Sequence, residues 1–294
     1  MIMNYGDLYK ITPKAIRQLL KPLITRKAKE RLAHDLIDKY IISFPKCGRT
    51  WLRMMIGYAL NSQFNLNLKV EELTEIHSIT KTIDRDICPT IKFSHDDRPN
   101  LKFFDEIDVD KSKYSNHDVL FLIRDPRDVV VSYYYQYMNR GDKYNAGDSN
   151  YQGSLSDFIY HNKGSLKSII NFYNIWANER EVPNKFFVLR YEDLKTDTKG
   201  YLKDVFNFLD TNISEKVITE SVDFCKFENL KKLEKKGALN PMRYGSDSND
   251  NNALKTRSGV IGGYKSLLEK EVVDYIEEYI NSELYDYYSF YKDN

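Results

Sequence analysis

The sequence predicts an α/β protein, a single domain in which helices flank a central parallel sheet. Short apolar runs alternate along the chain with segments whose apolar residues recur at helical spacing. The run at residues 119–123 is apolar throughout, as expected for a central strand that is covered on both faces. Strands joined by helices favour a parallel sheet, whose ligand site lies beyond the carboxyl ends of its strands.

The same patterns predict the individual strands and helices. The strands are predicted at residues 40–44, 90–93, 119–123 and 186–189, and the helices at about 50–59, 126–137, 165–180, 197–210, 214–225 and 266–285. Asp125 and Pro126 are typical of the cap and the first turn of the second helix. A chain of 294 residues is long enough for one large domain over residues 1–294, with two small domains as the alternative.

The first 37 residues are expected to form a basic, helical extension that packs on the domain. Residues 1–31 hold eight Lys or Arg residues against two acidic ones, with apolar residues on one helix face. Such a helix also fits the surface of an anionic membrane, so peripheral membrane contact stays open. Pro13 and Pro22 keep any helix here short, which favours packing on the domain.

Composition and charge exclude several classes of protein. A hydrophobic content of 41% and a charged content of 30% are typical of a globular protein in water. The net charge of +1 provides no basic field for nucleic acid. The chain has neither an apolar run of about 18 residues nor the apolar core of a signal peptide. Three widely spaced cysteines argue against disulfides and a zinc site, so a reducing, cytoplasmic location is expected.

The junction of the first strand and the first helix has the features of an anion-binding loop. Pro45 ends the apolar run, Gly48 permits a tight turn, and the helix begins near Thr50. The first N–H groups of a helix lack internal partners and carry partial positive charge, so they bind phosphate or sulfate well. Lys46 and Arg49 add positive charge at the same place. The loop is not a Walker A motif, because its lysine precedes the only glycine.

The order Pro-Lys-Cys-Gly-Arg-Thr-Trp at residues 45–51 resembles the loop of sulfotransferases that holds the 5′-phosphosulfate of 3′-phosphoadenosine 5′-phosphosulfate (PAPS). The resemblance implies that this whole loop binds PAPS, through Lys46, Cys47, Gly48, Arg49, Thr50 and Trp51.

A second motif begins with Arg124, directly after the third strand, and places Ser132 two turns into the next helix. An arginine fork and a hydroxyl together bind a phosphate dianion. The spacing resembles the 3′-phosphate motif of sulfotransferases. The alternative for this segment is an ordinary capped helix with a surface Arg–Asp pair.

Three further segments extend the resemblance over residues 38–285. Tyr191 begins a Tyr-Glu-Asp segment whose tyrosine is expected to bind adenine, and Phe227 matches an aromatic residue beside the base, with Trp51 on its other side. Arg257, Ser258 and Gly259 match the start of the loop that closes over the 3′-phosphate.

The closing loop departs from the family pattern at three positions, because Ser258 replaces lysine, Gly263 replaces aspartate and Tyr264 replaces tryptophan. Residues 237–263 are expected to form a mobile, cofactor-closing loop, since the polar run at 245–252 cannot pack into a core.

The chain is thus identified as a member of the PAPS-dependent sulfotransferases, with PAPS as co-substrate, PAP as product and no metal expected. Sulfuryl transfer requires in-line positioning and a general base. His95 follows a predicted strand and is the expected base, Lys46 is expected to stabilise the leaving nucleotide, and Ser132 to restrain Lys46. The family places a lysine two residues before this histidine, whereas Lys92 stands three residues before His95.

The acceptor and the assembly state stay open at this stage. A sugar, lipid, phenol or peptide hydroxyl each fits, and tyrosines near the second phosphate motif either line an acceptor pocket or pack the helix against the sheet (Tyr133, Tyr134, Tyr135 and Tyr137). A C-terminal dimer signature of the family is absent in its usual form. The competing functions are a nucleotide kinase, for which no Mg²⁺-binding carboxylates are evident, and a non-catalytic nucleotide-binding module.

Overall fold

The computed structural model describes residues 34–144, 153–240 and 254–292. Most of the basic extension expected at residues 1–37 lies outside the described residues. So does the 241–253 part of the loop that is expected to be mobile. Both stay predictions.

The described chain is built around one four-stranded sheet. Its strands are β1 (Lys39–Ile42), β2 (Ile91–Ser94), β3 (Asp118–Ile123) and β4 (Lys185–Arg190). All neighbouring strands are parallel, in the order β2-β1-β3-β4. The predicted parallel sheet is confirmed, and each of its strands lies within two residues of its predicted bounds.

Ten α-helices lie wholly within the described residues, and five of the six predicted helices begin within one residue of an observed one, although the first two extend five and seven residues beyond their predicted ends. They are α1 (Arg49–Phe64), α2 (Ile76–Thr80), α3 (Pro126–Tyr144), α4 (Leu155–Tyr160), α5 (Leu166–Asn178), α6 (Tyr191–Thr196), α7 (Thr198–Phe208), α8 (Glu215–Phe224), α9 (Phe227–Lys235) and α10 (Lys270–Glu283). Asp125 accepts a hydrogen bond from the backbone N–H of Arg127 at 2.9 Å, so it caps α3 as predicted.

The helix predicted at residues 266–285 is wrong at its start. A 3-10 turn at Gly263–Ser266 comes first, and α10 begins only after Glu269, whose backbone is extended. The turn is closed by the N–H of Leu267 donating to the Tyr264 carbonyl, and the N–H groups of Gly262 and Tyr264 anchor it to the carboxylate of Asp128.

Helices cover both faces of the sheet, as the strand alternation requires. Phe186 in β4 packs against Trp176 of α5, whereas the next residue, Phe187, packs against Phe208 of α7. Phe121 of β3 also stacks on Trp176, which is fully buried. On the other face α8 is joined to α1 by a hydrogen bond from the Ser221 hydroxyl to the Met55 carbonyl. The loops after all four strands therefore emerge at one edge of a well-packed core.

No helix in the described residues is both long enough and apolar enough to cross a bilayer.

Candidate active site

The loops beyond the carboxyl ends of the strands enclose a cavity of about 390 Å³. Thirteen of the fourteen residues that the sequence predicts for the site line it: Lys46, Gly48, Arg49, Thr50, Trp51, His95, Arg124, Ser132, Tyr191, Phe227, Arg257, Ser258 and Gly259. These residues come from segments more than 200 positions apart in the chain. Parallel strands bring them together because the strands' carboxyl ends meet at one edge.

Cys47 is the predicted site residue whose side chain does not line the cavity. Its thiol is fully buried, lies 3.4 Å from the hydroxyl of Tyr173, and has its pKa raised to about 12 by burial. It is thus an inert core residue. Any part that Cys47 plays in binding an anion falls to its backbone N–H.

The loop between β1 and α1 presents an open helix N-terminus to the cavity. Lys46 and Gly48 both have left-handed backbones, with φ values of 75° and 90°. No side chain caps α1, and its first turn holds no acidic residue. The N-terminus of α1 therefore has no side-chain cap, and its partial positive charge suits an anion.

Gly48 is required at its position for two independent reasons. Its backbone is left-handed, and a Cβ atom there would lie 2.6 Å from the ring of Tyr191. Gly48→Ala is expected to lower PAP affinity by about tenfold or more, because either the loop or the Tyr191 ring must move. Isothermal titration with PAP, together with thermal melting, measures this.

Gly237→Ala is the matched control for Gly48→Ala. Gly237 has a φ of 65°, but a Cβ atom there would meet nothing within 4 Å. The control therefore carries the backbone strain without the clash. Equal effects of the two substitutions on PAP affinity would contradict a role for Gly48 in the cavity.

Arg124 and Asp128 organise one end of the cavity. The Arg124 guanidinium donates to Asp128 at 3.2 Å and to the Val260 carbonyl at 2.9 Å, and lies 4.5 Å from the Tyr191 ring centroid. Asp128 in turn accepts from the backbone N–H groups of Gly262 and Tyr264. The Arg–Asp pair is therefore buried and holds the segment after Arg257 against α3, so it is not a surface pair.

The Nε atom of Arg124 is buried and has no hydrogen-bond partner among the described residues. An unpaired donor on a buried guanidinium is costly unless an acceptor binds there. This end of the cavity therefore suits an anion.

Aromatic side chains line the space between the two anion-binding ends. Trp51 is fixed by a 2.9 Å hydrogen bond from its indole N–H to the Cys225 carbonyl, and its ring centroid lies 5.9 Å from that of Tyr191. The ring of Phe227 lies directly under Gly259, where a Cβ atom would approach it to 3.0 Å. Flat apolar surfaces of this kind suit a purine base.

His95 lies at the end of β2 with its ring in a fixed orientation. Its Nδ1 lies 2.8 Å from the carbonyl oxygen of Ser43, which only accepts, so Nδ1 carries the proton and Nε2 holds the free lone pair. Burial first, and then the nearby charge of Arg49, lower the pKa of His95 well below its usual value. The ring is therefore a neutral acceptor at neutral pH.

The other four histidines of the chain, which are the alternatives to His95 as general base, do not line the cavity. His34, His77, His117 and His161 are absent from its lining, as is Lys92, which lies within β2. His34 is packed against His117 at a centroid distance of 4.6 Å, and burial lowers its pKa to about 4. Lys92 thus has no contact that would support the family's usual role for this lysine.

Two of the four tyrosines of α3, Tyr133 and Tyr137, are buried in the core, whereas Tyr134 and Tyr135 are partly buried against it. Tyr133 is fully buried and its hydroxyl accepts from the Asn100 amide at 2.7 Å. The ring of Tyr137 packs against Phe158. Tyr134 donates to the Gly153 carbonyl, and Tyr135 lies under the Arg257 guanidinium at 4.2 Å. None of the four tyrosines lines the cavity.

Sequence reasoning missed several polar residues of the cavity, among them Asp128, Gln136, Lys195 and Lys255. Asp128 could have been found from the sequence, since it stands four residues after Arg124, at the spacing of their ion pair. Within the described ranges, no three or more His, Cys, Asp or Glu side chains cluster as metal ligands would.

The fold and the site define a family, and comparison with known proteins establishes it. The family described as Sulfotransferase domain matches residues 36–288, and the chain belongs to this family. Flavonol 3-sulfotransferase of Flaveria bidentis is 24% identical over 168 residues, which are 54% of this chain and 52% of that protein. The match thus spans about half the length of this relative.

Solved structures support the same fold. Retinol dehydratase in complex with androsterone and the inactive cofactor PAP has a TM-score of 0.57 at 17% identity, over 85% of this chain and 81% of that chain. Mouse sulfotransferase SULT7A1 complexed with PAP has a TM-score of 0.55 at 17% identity, over 94% and 92% of the two chains.

Proposed function

We propose that this protein is a PAPS-dependent sulfotransferase, which transfers the sulfuryl group of PAPS to a hydroxyl or amine acceptor by in-line displacement. The observation that carries the proposal is one cavity with two anion-binding ends, aromatic walls between them and a neutral histidine beside the first end. Membership of the sulfotransferase family supports it.

The lining of the cavity fits the nucleotide in charge and shape. In the described part of the chain, seven Lys or Arg residues line it against a single carboxylate, that of Asp128, which the Arg124 guanidinium and backbone N–H groups already engage. The open N-terminus of α1 and Lys46 would hold the 5′-phosphosulfate. Arg124, Ser132 and Arg257 would hold the 3′-phosphate. Trp51, Tyr191 and Phe227 would contact adenine.

His95 acts as the general base in this proposal. Its Nε2 accepts the acceptor's proton while the acceptor oxygen forms a bond to sulfur, and the bond from sulfur to the bridging oxygen of the nucleotide breaks. The Ser43 carbonyl keeps Nδ1 protonated and so presents the free lone pair at Nε2.

Lys46 stabilises the negative charge that develops on the leaving nucleotide. Its left-handed backbone is a sparsely populated conformation for lysine, as is common where a side chain must be held at a reactive position. Ser132, which lines the same cavity from α3, would restrain Lys46 until the acceptor binds.

The pH profile tests the protonation state of His95. Since the pKa of His95 is lowered and the neutral ring is reactive, transfer should persist as pH falls below about 6.5 and fall only through the lowered pKa. Single-turnover rates between pH 8 and 5 measure this. A loss of transfer centred at or above pH 6.5, in protein that remains folded, would contradict it.

Two histidines with lowered pKa values make the stability of the fold sensitive to acid. His34 and His95 both have lowered pKa values in the folded state, so the unfolded chain binds protons more readily below about pH 6.5. Stability is therefore full above that pH and decreases as pH falls. Thermal melting across the same buffers separates this effect from the change in transfer rate.

A binding comparison followed by a transfer assay tests the function itself. PAP should bind in the absence of metal, and ATP with Mg²⁺ should bind far more weakly, because ATP has no 3′-phosphate and would leave the second anion-binding end unfilled. Labelled PAPS with a panel of acceptors should then give a labelled product. Tight ATP–Mg²⁺ binding would favour the kinase, and PAP binding without transfer to any acceptor would favour a non-catalytic module.

The acceptor is proposed to be a small molecule, carbohydrate or lipid. The cavity that His95 lines has both charged and apolar residues in its wall, and the four tyrosines of α3 are absent from it. The panel should therefore pair neutral and anionic sugars as well as steroid and phenol acceptors. Lys270 and Asp274, two of the positions at which the C-terminal dimer signature would fall, form an exposed i,i+4 pair on α10 at 2.7 Å, and the assembly state stays open.

A cytoplasmic location is also proposed. It is supported by Cys47, Cys88 and Cys225, all of which are free thiols buried in the structure. Labelling by a thiol reagent only after denaturation, in protein isolated from its native source without reductant, would agree with a reducing compartment.

A further inference from the structure

Lys195 lies at the 3′-phosphate end of the cavity, although no sequence motif assigned it a role. It stands one helical turn after Tyr191 on α6, so the two side chains share a helix face. Its Nζ donates a hydrogen bond to the Gly259 carbonyl. A Cβ atom built on Gly259 would lie 3.7 Å from this Nζ. Lys195 therefore touches the segment that carries Arg257.

Three cations converge on a single carboxylate at this end. The charge of Arg124 acts on both Lys195 and Arg257, and the pKa of Lys195 is lowered by burial and then by Arg124. Among the residues that the structure describes, Asp128 is the sole carboxylate lining the cavity, and it already accepts from Arg124 and two backbone N–H groups. The positive charge here exceeds what the described residues balance, which suits a dianion.

The segment that begins at Arg257 has one positively charged side chain fewer than the sulfotransferase pattern that it resembles. Ser258 stands where the sulfotransferase pattern has lysine, and its hydroxyl accepts from the Val260 N–H at 3.3 Å, so it stays within the loop. Lys195 reaches the neighbouring residue, Gly259, from a different element. A lysine has three donors, so one can remain on the Gly259 carbonyl while another binds an anion.

We propose that Lys195 binds the 3′-phosphate of the nucleotide and supplies, from α6, the positive charge that Ser258 lacks. The inference rests on the proposed function, because it requires a 3′-phosphorylated nucleotide in the cavity. The proposal predicts that substitution of Lys195 weakens the binding only of ligands that carry the 3′-phosphate.

The test compares PAP with adenosine 5′-phosphosulfate, which lacks the 3′-phosphate, by isothermal titration. Lys195→Gln should weaken PAP binding by roughly fivefold to thirtyfold, as expected for a partly exposed charge-assisted hydrogen bond. Binding of adenosine 5′-phosphosulfate should change less than twofold. Lys199→Gln is the matched control, because Lys199 pairs with Glu215 at 3.2 Å and does not line the cavity.

A rescue experiment separates phosphate binding from a merely structural contact. Adding Ser258→Lys to Lys195→Gln should restore most of the lost PAP affinity, since a cation returns to the same end of the cavity from the loop. A structural role for the Lys195–Gly259 contact would not be rescued in this way.

Three results would overturn the inference. They are equal losses for the two nucleotides, unchanged PAP affinity in Lys195→Gln, and a double variant no better than the single one. Each is distinct from failure of the proposed function, in which the wild-type protein itself binds no PAP or transfers no sulfuryl group. Thermal melting of every variant checks that the protein is folded.

Discussion

His95→Ala is expected to leave PAP affinity nearly intact while sulfuryl transfer falls by about 10²–10⁴-fold, the usual contribution of a general base. The reason is geometric. His95 lines the cavity with Nδ1 committed to the Ser43 carbonyl, so Nε2 is the nitrogen that would take the acceptor's proton in the proposed reaction. Single-turnover transfer and PAP titration, measured on the same preparation, separate the two effects.

Two further variants sharpen this prediction. His95→Gln keeps a donor for the Ser43 carbonyl but has no basic nitrogen, so it should lose transfer as severely as alanine. His77→Ala is the control, because His77 lies outside the cavity lining and should keep near-normal turnover. A well-folded His95→Gln protein that turns over at the wild-type rate would assign the base to another residue.

Lys46→Ala should behave differently from the His95 variants. Lys46 would contact the phosphosulfate in both the ground state and the transition state, so its loss should weaken PAP binding and slow transfer together. Comparing the Lys46 and His95 variants therefore tests the role proposed for each residue, and not only whether both residues belong to the site.

Arg124→Ala is expected to weaken PAP binding by roughly tenfold to a hundredfold, because a charge-assisted contact to the 3′-phosphate is lost. Adenosine 5′-phosphosulfate should be affected much less. Calorimetric titration of the two nucleotides measures the difference. Equal losses for both would show that Arg124 serves the whole cavity and not the 3′-phosphate alone.

Arg124→Ala also removes contacts within the protein, and a second substitution controls for their loss. Arg124 also holds Asp128 and the Val260 carbonyl, so alanine leaves Asp128 buried without its cation. Adding Asp128→Asn to Arg124→Ala removes that unpaired charge. If nucleotide selectivity is lost equally in the single and double variants, the loss belongs to Arg124 and not to a disturbed fold.

The predicted strands, their parallel arrangement and the family resemblance follow from local sequence patterns. An apolar run such as residues 119–123 needs cover on both faces wherever it lies, and the strand–loop–helix at Lys46 and Gly48 is fixed by neighbouring residues. Because parallel strands share one edge, the motifs that follow them converge without any knowledge of side-chain contacts. This is why thirteen predicted site residues line one cavity.

The direction and the partners of individual side chains were decided only by the tertiary structure. Cys47 lies within the phosphosulfate motif, yet its thiol enters the core and contacts Tyr173. The Tyr133 side chain on α3 also enters the core, where its hydroxyl contacts Asn100. The directions of these two side chains do not follow from the spacing of residues in the sequence, because the backbone conformation and the packing around each residue determine whether its side chain faces the core. Lys195 illustrates the opposite case, since only the docking of the loop places Gly259 beside it.

The turn after His95 shows the same limit at the reactive end. Asp96, Asp97 and Arg98 all have left-handed backbones, which the sequence does not predict for three consecutive residues with side chains. The buried carboxylate of Asp96, which pairs with Lys111 and Lys113 and accepts from the hydroxyl of Tyr114, anchors the first residue of this turn. The sequence by itself determined that a histidine follows β2, whereas the contact of its Nδ1 with the Ser43 carbonyl, 52 positions away, decided where its ring points.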